Sequence, residues 1–181
     1  MRWERLFDDL EAQLVADERR DLDAEVADRT RRERALLGLH ERLTAVIDGE
    51  PLSVRVAGVG VIVGRVTEVG TDWLLLEERP DHPALLPFTA IRTMTSLRGA
   101  AQAGAVAKGF ALGAALRAIS RDRAVVEIVD VDGTALTGTI DAVGQDAFDV
   151  AEHAVDVPRR PEHIIATRTM PWAALALVRR R

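Results

Sequence analysis

The chain has 181 residues, with 29 acidic against 24 basic side chains for a formal net charge of −5, and 48% of its residues are apolar. That apolar content is ample for packed cores and excludes a disordered chain; the absence of cysteine excludes disulfides and thiolate metal sites. All basic residues but Lys108 are arginine, a bias that points to a GC-rich genome and makes an arginine by itself weak evidence of a phosphate-binding surface.

The chain runs into charge at once, at Met1-Arg-Trp-Glu-Arg, so no signal peptide is read and a cytoplasmic protein is expected. The longest weakly polar run, Gly99 to Ile119, is interrupted by Gln102, Lys108 and Arg117 and is too polar for a membrane helix. Residues 2–48 contain no proline and read as helix, with Gly38 as a weak breaker. Trp3, Leu6, Phe7, Leu10 and Leu14 fall at helical spacing and form one apolar stripe. Such a stripe has to be buried, either against the chain's own strands or in a helical pair with a second copy, and it is the candidate self-association surface. From Asp17 to Arg34 charges of both signs dominate, so this part is expected to be solvated and held by pairs such as Glu25 with Arg29. The result is a helical arm, one rod or a hairpin bent near residues 16–22.

Asp48-Gly49-Glu50-Pro51 stops the helix, and short strands follow. The expected strands are Leu52–Ala57, Val61–Val69, Asp72–Glu78, Ala84–Pro87 and Arg92–Ser96. After a small, flexible boundary at 99–104, Ala105 to Arg121 reads as a second helix. A second set of strands is expected at Ala124–Asp130, Ala135–Val143, Ala147–Ala151, Ile164–Met170 and Leu175–Val178, with a hairpin turn at Asp132-Gly133.

The two sets echo one another. Gly64 to Leu76 and Gly138 to Val150 share the pattern Gly-x-[Val/Ile]-x-x-Val-Gly-x-Asp-x-[Leu/Phe]-x-[Leu/Val], displaced by 74 residues. Leu86-Pro87-Phe88-Thr89-Ala90-Ile91 returns as Met170-Pro171-Trp172-Ala173-Ala174-Leu175, displaced by 84. The extra 10 residues fall between the third and fourth strands of the second set and include His153 to His163. Five short strands, each with a buried face, are typical of a small closed or nearly closed barrel.

The order of elements and the residues Asp132-Gly133-x-x-Leu136-x-Gly138-x-Ile140, Phe148-x-Val150, Phe88 to Ile91 and Trp172 to Leu175 resemble the Sm-like fold, which includes the bacterial Hfq RNA chaperones. The resemblance covers about 39–97 and 112–178 and implies Sm-like barrels, with an SH3-like barrel as the generic relative. The family's RNA-contacting positions have no counterparts: Asp72 and Asp146 sit later than the Sm aspartate, no asparagine follows them, and Phe88-Thr89 and Trp172-Ala173 replace the Lys-His that precedes Ala-Ile.

No catalytic set is read. Gly-x-Ser-x-Gly does not occur, and Gly58-Val-Gly60-Val-Ile-Val-Gly64 opens a strand rather than a helix, so no helix N-terminus would face a phosphate. His153, Asp156, Glu162 and His163 match no strong metal-ligand spacing, and neither metal nor cofactor is expected. Asp72 and Asp146 read as turn residues bonding their own backbone. Arg117, Arg121, Arg123, Arg159 and Arg160, with the Arg179 to Arg181 tail, are the candidate nucleic-acid contacts, balanced by Asp122, Glu127 and Glu162.

The sequence thus leads to a mainly β protein with helices (α+β): two tandem five-stranded barrels, each preceded by a helix, behind an N-terminal arm. The expected domains are an arm at 1–38, helix and barrel at 39–98, a linker at 99–104, and helix and barrel at 105–181. The expected role is a non-catalytic, homo-oligomeric interaction or regulatory module that binds a protein partner. The alternative is a nucleic-acid-binding regulator using the arginines.

Overall fold

Ten apolar runs become ten strands. The computed structural model describes residues 19–20, 22–32, 35–95, 97 and 109–180, so the Trp3 to Leu14 stripe, the bend near residue 16, the 99–104 boundary and Arg181 lie outside the described residues. The chain falls into two compact units, Met1–Gly38 and Leu39–Arg181.

In the first unit residues 22–32 form helix α1. Its charges are locally satisfied, Asp28 meeting Arg31 at 3.3 Å and Arg32 at 2.8 Å, while Leu22 and Val26 are more than half exposed. The helix expected through residue 48 is broken at 36–38, where Gly38 removes the Cβ that favours helix, and resumes as α2 (Leu39–Thr44) in the second unit. Leu43 and Val46 anchor that segment in the core, and Asp48 donates its N–H to Val66 O at 2.8 Å.

The first set of strands is β1 (Leu52–Val56), β2 (Gly60–Val69), β3 (Trp73–Arg79), β4 (His82–Pro87) and β5 (Ile91–Met94). After helix α3 (Leu112–Arg121) come β6 (Val125–Asp130), β7 (Ala135–Val143), β8 (Ala147–Glu152), β9 (Ala166–Pro171) and β10 (Leu175–Arg180). Within each set the pairing is alike. Leu52 lies opposite Gly64 and Val126 opposite Gly138; Leu74 lies opposite Leu86 and Phe148 opposite Met170; Val54 lies opposite Met94 and Ile128 opposite Val178. The register breaks after Val66 and after Ile140 also correspond. Gly64 and Gly138 permit the bend, because a Cβ there would strike Glu77 O and Ala151 O respectively.

The two closed barrels expected from the sequence do not form. All ten strands belong to one open antiparallel sheet in the order β5-β1-β2-β3-β4-β10-β6-β7-β8-β9. The physical reason lies in β4 and β10. In a closed barrel one face of each strand is solvent, yet Ala84 to Pro87 and Leu175 to Val178 are buried without interruption. Alternate side chains of β4 serve opposite cores: Ala84 and Leu86 join Val54, Val66, Leu74 and Leu43, whereas Leu85 joins Ile128, Ile140, Phe148 and Leu116. β10 also serves both cores, Ala176 and Leu177 joining the first and Leu175 and Val178 the second, its alternation interrupted by the register shift between Leu175 and Leu177. Two strands with apolar side chains on both faces are stable only inside a sheet covered on both sides, so they pair with each other.

Candidate functional site

The β4–β10 join sets Val178 opposite Leu85 and Arg179 opposite Ala84. Arg179 reaches across it to Glu78 of β3 at 3.4 Å and along its own side to Glu127 of β6 at 3.3 Å, and all three side chains are less than a third exposed. One arginine thus serves two carboxylates from different ends of the sequence.

At the two ends of the sheet the corresponding strands lack that second neighbour. Among the described residues β5 pairs only with β1 and β9 only with β8. Their residues are also different. β9 carries exposed Thr167, Arg168 and Thr169 where β4 has Pro83, Ala84 and Leu85, and β5 carries exposed Arg92 and Thr93 where β10 has Ala176 and Leu177. The outer acid is satisfied within its own set: Arg168 Nε donates to Glu152 at 2.7 Å, and Thr169 Oγ1 donates to Asp149 at 2.6 Å. Each edge still presents a row of outward N–H and C=O groups, the feature that makes an edge strand competent to pair.

The candidate phosphate-binding arginines do not share one arrangement. Arg123 and Arg159 both turn to Asp141 of β7: Arg159 Nε donates at 2.6 Å and Nη2 at 2.5 Å, and Arg123 Nη1 donates at 3.2 Å. The hydrogen bond from Arg159, helped by the charges of both guanidiniums, holds the Asp141 carboxyl below its ordinary range. Asp141, not the anticipated Asp122 or Glu162, is therefore the balancing acid here, and it pins the inserted segment to the sheet. Arg117, Arg121 and Arg160 are exposed; Arg121 is one of the residues lining an apolar cleft of about 390 Å³ between α3 and β3–β4, with Trp73, Leu85 and Ile119.

The inserted histidines are engaged in hydrogen bonds. His153 is 1% exposed, with Nε2 2.9 Å from Thr139 Oγ1 and Nδ1 2.8 Å from Ala154 O, and His163 Nδ1 lies 2.8 Å from Pro158 O. Among the described residues no group of three His, Cys, Asp or Glu side chains is placed to hold a metal, and no helix is long and apolar enough to cross a membrane.

Asp72 has a role that the turn reading missed. Its Oδ1 accepts the N–H of Leu112 at 2.7 Å and so caps α3, while Trp73 Nε1 and Thr71 N donate to Phe110 O at 2.8 and 3.2 Å. The turn between β2 and β3 thereby holds the start of a helix that packs on the second core. Nothing in the local sequence around Asp72 signals a partner 40 residues away.

No protein-family model matches the chain, and no curated protein or solved structure shows significant similarity to it.

Proposed function

We propose that this chain is a non-catalytic interaction module that self-associates and presents the resulting assembly to a protein partner. The observation that supports it is the open sheet: two edge strands, unpaired among the described residues, stand where the same positions, displaced along the chain, pair as β4 and β10. An open antiparallel edge is a template for another strand. The matching registers of the two strand sets favour a duplicated unit, in which a contact made once within the chain is available again between chains.

The test is the mass of the full chain by size-exclusion chromatography with light scattering over a wide concentration range, with and without pools of short RNA and DNA. Self-association gives a mass above 19.8 kDa that rises with concentration and is unaffected by nucleic acid. A monomer at every concentration rejects the reading. Nucleic acid that co-migrates at low salt and is released at high salt replaces it with phosphate recognition by Arg117, Arg121 and Arg160, since counterion release makes such binding steeply salt-dependent.

A further inference from the structure

We propose that the cleft between α3 and β3–β4 is one half of a two-fold contact: Phe110 of each copy fills the cleft of the other, and Glu68 of each meets Arg121 of the other. This rests on the self-association reading above and gives it a surface separate from the sheet edges. Ala114, Ala115 and Ala118 line the cleft from the helix, Leu75 and Leu85 from the sheet, and the small alanine side chains leave about 390 Å³ open. That volume is ample for a phenyl ring and lies in the range of pockets that seat a ligand. One wall is preformed, since Trp73 is 4% exposed and its Nε1 donates to Phe110 O at 2.8 Å. Phe110 also lines the cleft, yet it is 73% exposed, the only exposed aromatic among the described residues. Its backbone is fixed all the same, because its carbonyl accepts the N–H groups of both Trp73 Nε1 and Thr71. A large aromatic held in place on the surface loses little freedom on burial and suits the centre of an interface.

Charge identifies what covers the cleft. Its charged lining residues are Glu68 and Arg121; both are exposed, and among the described residues neither side chain has a hydrogen-bond or ion-pair partner. A surface that carries one acid and one base beside an apolar hollow and an exposed aromatic is complementary to itself. A two-fold axis through it gives each charge its opposite and each hollow a ring. A nucleic acid or an acidic peptide would meet Arg121 favourably and Glu68 unfavourably, and a basic peptide the reverse. Glu68 lies in β2, inside the sheet and opposite Leu75, while Phe110 precedes α3 and Arg121 ends it, so neither β5 nor β9 takes part. Because the same patch serves both copies, the contact closes at two.

The experiment reverses the charges one at a time in the full chain. Glu68→Arg sets two cations against each other across the axis and Arg121→Glu two anions, so each variant alone associates about tenfold or more weakly than wild type in size-exclusion chromatography with light scattering. Mixed, the two variants recover a dimer: the reversed residue of one faces the reversed residue of the other, and the native pair meets on the opposite side of the axis. Phe110→Ala weakens association by a similar factor with no change in charge. All three positions are exposed, and circular dichroism of each variant verifies the fold. Recovery on mixing, which no loss of folding imitates, confirms the contact. An oligomeric wild type that the charge reversals leave unchanged overturns the cleft contact while self-association stands, and loss without recovery overturns the two-fold arrangement. A wild type that binds the dye anilinonaphthalene sulfonate as strongly as Phe110→Ala has an open cleft, which overturns its coverage by a second copy. A wild type that is monomeric throughout overturns both this contact and the self-association reading.

Discussion

The in-chain join and the two outer edges of the described sheet occupy equivalent places in their strand sets but are built largely from different residues. β4 contributes Ala84, Leu85, Leu86 and Pro87, and β9 contributes Arg168, Thr169, Met170 and Pro171. β10 contributes Leu175, Ala176, Leu177 and Val178, and β5 contributes Ile91, Arg92, Thr93 and Met94. Local geometry is common to both, as the matching registers show. What differs is that the inner strands are covered on both faces and the outer ones on one. Composition here follows position in the sheet rather than the shape of the strand.

The largest effect expected from that difference is on stability. Leu85→Ala or Leu177→Ala removes a side chain buried at 3% or 0% exposure and costs about 2–5 kcal/mol, read as a shift of the denaturation midpoint. Thr169→Ala, at the position equivalent to Leu85, loses the exposed hydrogen bond to Asp149 but leaves no cavity, and costs about 1 kcal/mol or less. Equal losses at the two sites would break the comparison.

A smaller effect separates the two turn aspartates. Asp72→Ala uncaps α3 and costs about 1 kcal/mol, with loss of amide-exchange protection in the first turn of the helix. Asp146→Ala costs a fraction of that, since a surface substitution away from a cap is nearly neutral. Of similar size, Arg179→Ala leaves the carboxylates of Glu78 and Glu127 without their shared cation and costs about 1 kcal/mol. A double-mutant cycle with Glu78→Gln isolates the part that crosses the join.

The smallest is visible only in acid. Asp141 has a depressed carboxyl, so the stability it contributes is present above the ordinary aspartate value of about 3.9 and is lost as pH falls through its lower folded value. The segment around Arg159 therefore stays pinned from neutral pH down to about 4 and loosens below it, followed by the amide signals of residues 153–163. Asp141→Asn removes the acid-dependent step and loosens the segment at all pH; an unchanged step would show that another group causes it.

These contrasts also explain what the sequence could disclose. Every strand end lies within two residues of its expected place, because alternation such as that of Val54, Val56, Ile62 and Val66 and the recurring glycines at 64 and 138 are local signals. Closure is not local. Whether β4 pairs with β5 or with β10 depends on which faces are covered, and an unbroken run such as Leu85-Leu86 reads equally well as one wall of a barrel. Charge contacts were legible only within a segment. Asp28 with Arg31 and Arg32 follows helical spacing, whereas Arg159 with Asp141, Arg179 with Glu78 and Asp72 with Leu112 depend on how strands are laid side by side.

The β4–β10 join also sets an order in time. Val129, Ala176 and Leu177 complete the core that begins with Leu43 and Val54, so the earlier half of the sheet is left with an open apolar face until a strand about 90 residues later has been synthesised. During that interval β4 exposes both its edge and Leu85, conditions under which nascent chains pair with the wrong partner. A ribosome-stalled chain ending before Leu175 should therefore be far more sensitive to protease and more readily held by chaperones than one extended past Arg180, with protection arriving in a single step for both halves.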